Sequence, residues 1–166
     1  MRIKFWALGL LLVGAACSGG GERPAQQEAA EGTPAATPAA APTANAGEQV
    51  YNNVCVVCHQ PNGTGMQGAF PPLAGSEVVL GDPAVPIRIV LRGLSGEMTR
   101  GGATYNGVMT PWGSQLSDAD VANVLTYVRS SWGNSAPAVT PEQVTEVRTA
   151  VEGHAEPFTT AELGIQ

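Results

Sequence analysis

Apolar positions recur with a helical period late in the chain: Val121, Val124, Leu125 and Val128 fall at i, i+3, i+4 and i+7. That spacing lays one apolar stripe along a helix, and the stripe has to be buried against a partner. Ser117 stands before it as an N-cap, Asp120 completes an acidic variant of the capping box, and Gly133 marks its end. A second helix is predicted where Asp82 and Pro83 offer a cap and a first-turn proline, leading into "AVPIRIVLRGL" and stopping at Gly93. A further helix is predicted over residues 48–58, and a last one begins at Thr140-Pro141-Glu142-Gln143 by the same rule. No run alternates apolar and polar residues convincingly as a strand. The folded part therefore reads as all-α.

The N-terminal stretch breaks this pattern twice. Residues 1–16, "MRIKFWALGLLLVGAA", are a short basic start followed by an apolar run too short to cross a bilayer, which takes about 20 residues. They have the layout of a secretory signal peptide. Cys17 follows at once, as in a bacterial lipoprotein signal, where the cysteine is lipidated and becomes the new N-terminus. Gly14 departs from the bulky residue usual three positions before that cysteine, which keeps a plain secretory signal open. Either way the mature protein is expected outside the cytoplasm, on the periplasmic side of a bacterial membrane. Ser18 is no acidic retention signal, so inner and outer membrane both stay open. Residues 17–46 read as the lipidated cysteine and a Pro/Ala-rich tether, with no apolar period and nothing to bury. Residues 47–134 read as the main domain and 135–166 as a C-terminal extension with one helix, a belt around the domain or an interface.

Charge narrows the partners. The full chain has eight basic and fourteen acidic residues. Removing Arg2 and Lys4 with the signal leaves six arginines, so the mature net charge is 6 − 14 = −8. This argues against nucleic acid and anionic lipid as direct partners, and for a partner with a basic docking surface.

The chemistry concentrates in "CVVCH", which gathers Cys55, Cys58 and His59 from a chain with three cysteines and two histidines. A Cys55–Cys58 disulfide leaves His59 unexplained. A thioredoxin-like pair needs a βαβ setting. A zinc site needs four ligands, and Cys17 and His154 are far away in sequence. The remaining reading is covalent haem attachment, C-x-x-C-H: each sulfur adds to a haem vinyl group, and the adjacent imidazole of His59 reaches the iron. Two cysteines for thioethers and one for lipid leave no free thiol outside the cell.

From about Gly47 onward the chain resembles small single-haem class I c-type cytochromes of bacteria. "GEQVYNNVCVVCHQPNGTG" resembles the first helix and haem loop, and "FPPLAGS" resembles the segment beneath the proximal histidine. "GVMTPWGSQLSDADVANVLTYVRSSWGN" resembles the axial-methionine loop and final core helix of cytochrome domains attached to dehydrogenases and nitrite reductases. The resemblance implies helices wrapped around one covalently bound haem c. Gly47, Tyr51 and Tyr127 match packing positions where the first and last core helices cross. Pro71 matches the proline whose carbonyl accepts the Nδ1–H of the histidine. Gln60 stands where many relatives have glycine and is expected to be harmless.

The sixth iron ligand is expected to be methionine. Met66 is only seven residues beyond His59. Met98 and Met109 both fall in the glycine-rich segment from Gly93 to Gly113. Met109, followed by Thr110-Pro111 as in the family's ligand loop, is the assignment, with Met98 read as core filler. Arg88, Arg92 and Arg100 are candidates to pair with haem propionates as well as ordinary solvated arginines. Arg88 is favoured for its apolar neighbours Ile87 and Ile89. Trp112 walls the haem, binds a propionate or is plain core. The implied function is that of a one-electron carrier without catalysis of its own, passing electrons from a respiratory donor to an acceptor such as a terminal oxidase. A fixed cytochrome subunit of a larger quinol-oxidising or dehydrogenase complex is the alternative, followed by a haem enzyme or gas sensor with an open iron site.

Overall fold

The computed structural model describes residues 41–165. The signal peptide, the Cys17 lipidation site and residues 17–40 of the tether lie outside the described residues. Among those described, no helix is long and apolar enough to cross a membrane.

The first helix, α1 (Ala44–Val50), starts four residues before the predicted position. Thr43 is its cap: the side chain accepts from Ala46 N–H at 3.3 Å, and the Thr43 N–H donates to Asn123 Oδ1 at 2.9 Å. The folded unit thus begins inside the span read as tether. α1 runs into one π-helical stretch, Tyr51–Cys55, and then α2 (Val56–His59). A π-turn inserts an extra residue per turn and re-aims the side chains beyond it, and such insertions recur at functional sites. Here it delivers both cysteines and the histidine.

α5 (Asp118–Ser130) carries the apolar stripe, and Val121, Val124, Leu125 and Val128 are all buried. Its capping box is present as predicted: Ser117 Oγ accepts from Asp120 N–H at 3.1 Å, and Asp120 Oδ2 accepts from Ser117 N–H at 3.1 Å. The helix stops at Ser130 rather than at Gly133. Trp132 (φ 54°) and Gly133 (φ 85°) then turn the chain. α1 crosses α5 at Gly47, where an added Cβ would lie 2.1 Å from the Asn123 carbonyl oxygen and 2.6 Å from Tyr127 Cβ. Only glycine lets two backbones approach so closely. Beside the crossing, the Tyr51 ring packs 5.4 Å from Tyr127 and 5.1 Å from Trp132, centroid to centroid.

α3 (Glu77–Leu80) is a single turn, and α4 (Ala84–Arg92) starts where Asp82 Oδ1 accepts from Ala84 N–H at 2.9 Å. α4 ends at Gly93, whose φ of 86° needs glycine. Arg129 is buried near the end of α5, and among the described residues no carboxylate lies within ion-pair range of it. Its guanidinium donates instead to the Val79, Gly81 and Pro137 carbonyls, which ties α5 to α3.

Four short strands amend the all-α expectation without displacing it. β1 (Leu94–Ser95) pairs in parallel with β4 (Phe158–Thr159), and β2 (Met98–Arg100) pairs antiparallel with β3 (Ala103–Tyr105). Two or three residues are too few to show alternation in a sequence. The β2–β3 hairpin did leave a trace in Gly101-Gly102, whose φ values of 59° and 78° suit a two-residue hairpin turn.

α6 (Pro141–Ala150) begins with a full capping box between Thr140 and Gln143. Its Val144 and Val147, with Val151 beyond it, join the same buried cluster as the α5 stripe. The extension after residue 134 is therefore built into the domain.

Candidate functional site

One apolar cavity of about 340 Å³ lies where α2, α4, α5 and the two loops meet. Cys55, Cys58 and His59 line it, as do both Met98 and Met109. The two cysteines are free thiols. Burial, reinforced by the neighbouring Cys58, pushes the Cys55 thiol up to about 11. A disulfide-exchange cysteine needs the opposite, a stabilised thiolate. Among the described residues, no three His, Cys, Asp or Glu side chains converge as a metal-ion site. Both facts weigh against the redox-pair and zinc readings of the motif.

His59 is buried, and its Nδ1 lies 3.3 Å from the Pro71 carbonyl oxygen. A carbonyl can only accept, so Nδ1 carries the proton and Nε2 keeps the lone pair that a metal needs. Burial lowers the imidazole's pKa more than that hydrogen bond raises it, so the ring is neutral near pH 7. The segment carrying Pro71 is held in turn by backbone bonds from Leu73 and Ala74 N–H to the Gly63 carbonyl. Asn134 donates to the Leu73 carbonyl at 3.1 Å and accepts from Gly75 N–H at 2.8 Å.

Gln60, directly after the histidine, is not the harmless replacement expected. It sits at φ 64°, ψ 158°, a region open to glycine and strained for any side chain. The Tyr51 hydroxyl holds it there by donating to the Gln60 carbonyl at 2.6 Å. Such a conformation costs about 1–3 kcal/mol. Gln60→Gly relieves the strain and gives up only a 3.3 Å surface bond to Val57 and some unfolded-chain entropy. We expect a gain of about 1 kcal/mol, seen as a higher urea midpoint at unchanged slope. An unchanged or lower midpoint would show that the strain is not carried.

The far side of the cavity is built by the Gly93–Gly113 segment. Met109 is paired to Leu94 by two backbone bonds, Leu94 N–H to the Met109 carbonyl at 3.1 Å and Met109 N–H to the Leu94 carbonyl at 2.9 Å. Gly93 makes this approach possible, since a Cβ there would lie 2.5 Å from the Met109 carbonyl oxygen. Trp112 also lines the cavity, and its backbone N–H donates to the Val90 carbonyl at 2.9 Å. Met98 is buried, at 6% exposed, and packs with Ile89, Leu94 and Tyr105 as a core side chain does.

Of the three candidate arginines, the structure brings one to the cavity. Arg88 is not part of the cavity wall. α4 turns Pro86, Ile89 and Val90 toward the cavity, an i, i+3, i+4 stripe that leaves Arg88 off its edge. Arg92 donates to the Glu152 carbonyl at 3.0 Å. Arg100 does line the cavity, and its Nε is buried with no hydrogen-bond partner among the described residues. A buried orphan donor of this kind requires an acceptor. Its place on the β2–β3 hairpin, not its sequence neighbours, brings it there.

These residues fit a covalently held haem: two thiols three positions apart, a neutral imidazole with one free nitrogen, two thioethers, apolar walls and one cation lacking an anion. Comparison with known proteins agrees. The chain is 41% identical to cytochrome c-552 of Thermus thermophilus over 93 residues, 54% of this chain and 70% of that protein. It is 36% identical over 107 residues to the cytochrome c subunit of the quinone-type alcohol dehydrogenase of Gluconobacter oxydans, which is 63% of this chain but only 22% of that one. It is 34% identical over 96 residues to the cbb3-type cytochrome c oxidase subunit FixP of Azorhizobium caulinodans, 57% of this chain and 31% of that subunit. The chain thus spans a small part of the dehydrogenase and oxidase subunits that it resembles. The family model for cytochrome c matches residues 44–132, or 89 of 166 positions (132 − 44 + 1), and the chain belongs to the cytochrome c family, whose cofactor is covalently bound haem c.

Proposed function

We propose that the protein is an exported, membrane-anchored one-electron carrier, a mono-haem class I cytochrome c whose helices wrap the haem. One observation carries this reading: a single apolar cavity gathers Cys55, Cys58 and His59 from one part of the chain and Met109 from another. In this reading haem c supplies the one-electron iron couple. Cys55 and Cys58 would hold it covalently, and His59, oriented by Pro71, would offer its free ring nitrogen to the iron. Met109 would offer the thioether that favours the reduced state, and Trp112 would wall the site. Arg100 takes the propionate role expected of Arg88. Cys17 carries the lipid, the Pro/Ala-rich stretch between it and the Thr43 cap joins the anchor to the domain, and the partners are redox proteins. Optical spectra test the carrier: a six-coordinate His/Met spectrum that carbon monoxide does not perturb supports it, whereas ready binding of the gas favours a haem enzyme or sensor.

The second reading, a fixed subunit of a larger complex, draws on the likeness to the cytochrome subunit of a quinone-type alcohol dehydrogenase. A stable complex on purification would favour it. Docking chemistry gives a further prediction. With a mature charge of −8, before the haem propionates add to it, electron transfer to a basic partner should slow as salt rises. At 0.1 M, screening cuts attraction to about 10 Å. A rate indifferent to salt would place docking on an apolar face instead.

A further inference from the structure

The segment from Gly93 to Leu116, which bears Met109, has little internal structure to hold it. It contains glycine at six positions and strands of two or three residues, and short pairings of that kind are not stable alone. α4 holds it near its far end, where Trp112 N–H donates to the Val90 carbonyl at 2.9 Å and Gly113 N–H to the Leu91 carbonyl at 3.2 Å, and the C-terminal extension adds fastenings at both ends. At the first end, β1 is bonded along both edges. One edge takes Met109, through the two Leu94 bonds. The other takes β4: Leu94 pairs with Phe158, Ser95 with Thr159, and Phe158 N–H donates to the Gly93 carbonyl at 3.2 Å. Thr160 Oγ1 adds a bond to the Glu97 carbonyl at 3.1 Å. Glu162 rigidifies β4 itself, accepting from Thr159 N–H at 2.7 Å and Thr159 Oγ1 at 2.8 Å. Leu163 and Ile165 then pack on the cluster of Ile89, Leu94, Met98 and Tyr105, against which Met109 also lies.

At the second end, Arg148 of α6 reaches the chain just beyond Met109. Its guanidinium donates to the Gly113 carbonyl and, at 3.0 Å, to the Leu116 carbonyl. Asp118 holds it in place at 2.6 Å and is itself held by the Thr145 hydroxyl. Backbone carbonyls in a loop would otherwise be free to turn to water, and a cation that binds two of them fixes the path between.

We propose that the C-terminal extension is a positioning device for the axial thioether: β4 and Arg148 hold the two ends of the Met109 segment, so that the sulfur cannot swing away from the haem. This rests on reading Met109 as the ligand. The contacts of the extension fall on both ends of the segment that carries Met109, and β1, which β4 pairs with, is the strand that also pairs with Met109.

The test uses the full-length holoprotein in four variants. Phe158→Pro removes the N–H that donates to Gly93, along with the Phe158 ring stacked 3.9 Å from His154. Arg148→Gln releases the other end. Thr126→Val is a control for stability alone, since Thr126 bonds only to Val139 and the neighbouring turn of α5, away from this segment. Met109→Ala gives the limit of an absent thioether. Carbon monoxide is the probe, because it binds reduced iron only when the sulfur has left, with no change in electron count. Phe158→Pro and Arg148→Gln should each raise the rate of carbon monoxide uptake at least tenfold and weaken the sulfur-to-iron absorption band of the oxidised protein. Thr126→Val should lower the melting temperature and change neither readout. If both extension variants melt earlier yet exclude carbon monoxide as the parent does, the extension is structural only and the proposal fails. If Phe158→Pro does not accumulate, Arg148→Gln decides alone. If Met109→Ala keeps the band, the ligand assignment itself is wrong, a result separate from the other two.

Discussion

Replacing Cys55 and Cys58 together with alanine is expected to abolish haem that survives denaturation. Covalent attachment needs at least one thiol to add across a haem vinyl group, and among the described residues no cysteine other than Cys55 and Cys58 exists to do so. The effect should reach beyond the loss of stain. The cavity of about 340 Å³ is lined almost wholly by apolar side chains. Without haem that apolar lining faces water, and an ordinary domain has only roughly 5–15 kcal/mol of stability to lose. The double variant should therefore be found at a fraction of the parent's level, and without a compact fold. Haem staining on a denaturing gel, normalised to protein by immunoblot, measures both effects. A stained band of normal intensity in the double variant would overturn the attachment reading. Each single variant keeps one thioether and should retain stain at reduced yield.

The parts of the fold that are legible in the sequence are those fixed by local chemistry. The α5 stripe, its Ser117–Asp120 capping box, the Asp82-Pro83 start of α4 and the Thr140–Gln143 start of α6 each follow from a few adjacent residues. The structure shows all of them. The haem-binding motif is legible for the same reason: its three residues occupy five consecutive positions. The features that escape depend on residues far apart. Thr43 is an ordinary cap signal, hidden because a Pro/Ala-rich run precedes it and because its second partner is Asn123. Arg100 cannot be separated from Arg88 by neighbours alone. An apolar flank says that a helix is near the core, but not which of its faces meets the cavity. β1 and β4 are two residues long and lie more than sixty positions apart, so no periodicity could reveal them. At Gln60 the glycine of many relatives is the signal, and it is easily passed over because strain is a property of φ and ψ that the glutamine itself does not display.

Met109→Ala is expected to remove the sulfur-to-iron charge-transfer band of the oxidised protein, whereas Met98→Ala should leave it. The structure makes this comparison sharper than the sequence does, because both methionines line the cavity. Burial does not separate them in favour of Met109: Met98 is 6% exposed and Met109 is only half-buried. Both are paired at the backbone, and side-chain packing is what distinguishes their settings. Met98 sits on a hairpin, opposite Tyr105, and belongs to a packed cluster that gives it a role as a core side chain. Met109 lies outside that hairpin, paired through its own N–H and carbonyl to Leu94, with Gly93 permitting the close approach. A ligand has to be held at the backbone while its side chain stays free to meet the metal. Loss of the thioether should lower the potential, because methionine favours Fe(II). Axial ligands set haem potentials over about 0.8 V, and a fall on the order of 0.2 V is expected here. The reduced variant should also bind carbon monoxide rapidly. Met98→Ala should cost packing instead, about 2–5 kcal/mol for a buried methionine, with band and potential nearly unchanged. A redox titration and an absorption spectrum of each variant decide the matter. If Met98→Ala loses the band and Met109→Ala keeps it, the ligand is on the hairpin and the roles are exchanged. If neither loses it, the sixth ligand is not methionine, and an open-site haem enzyme or sensor becomes the better reading.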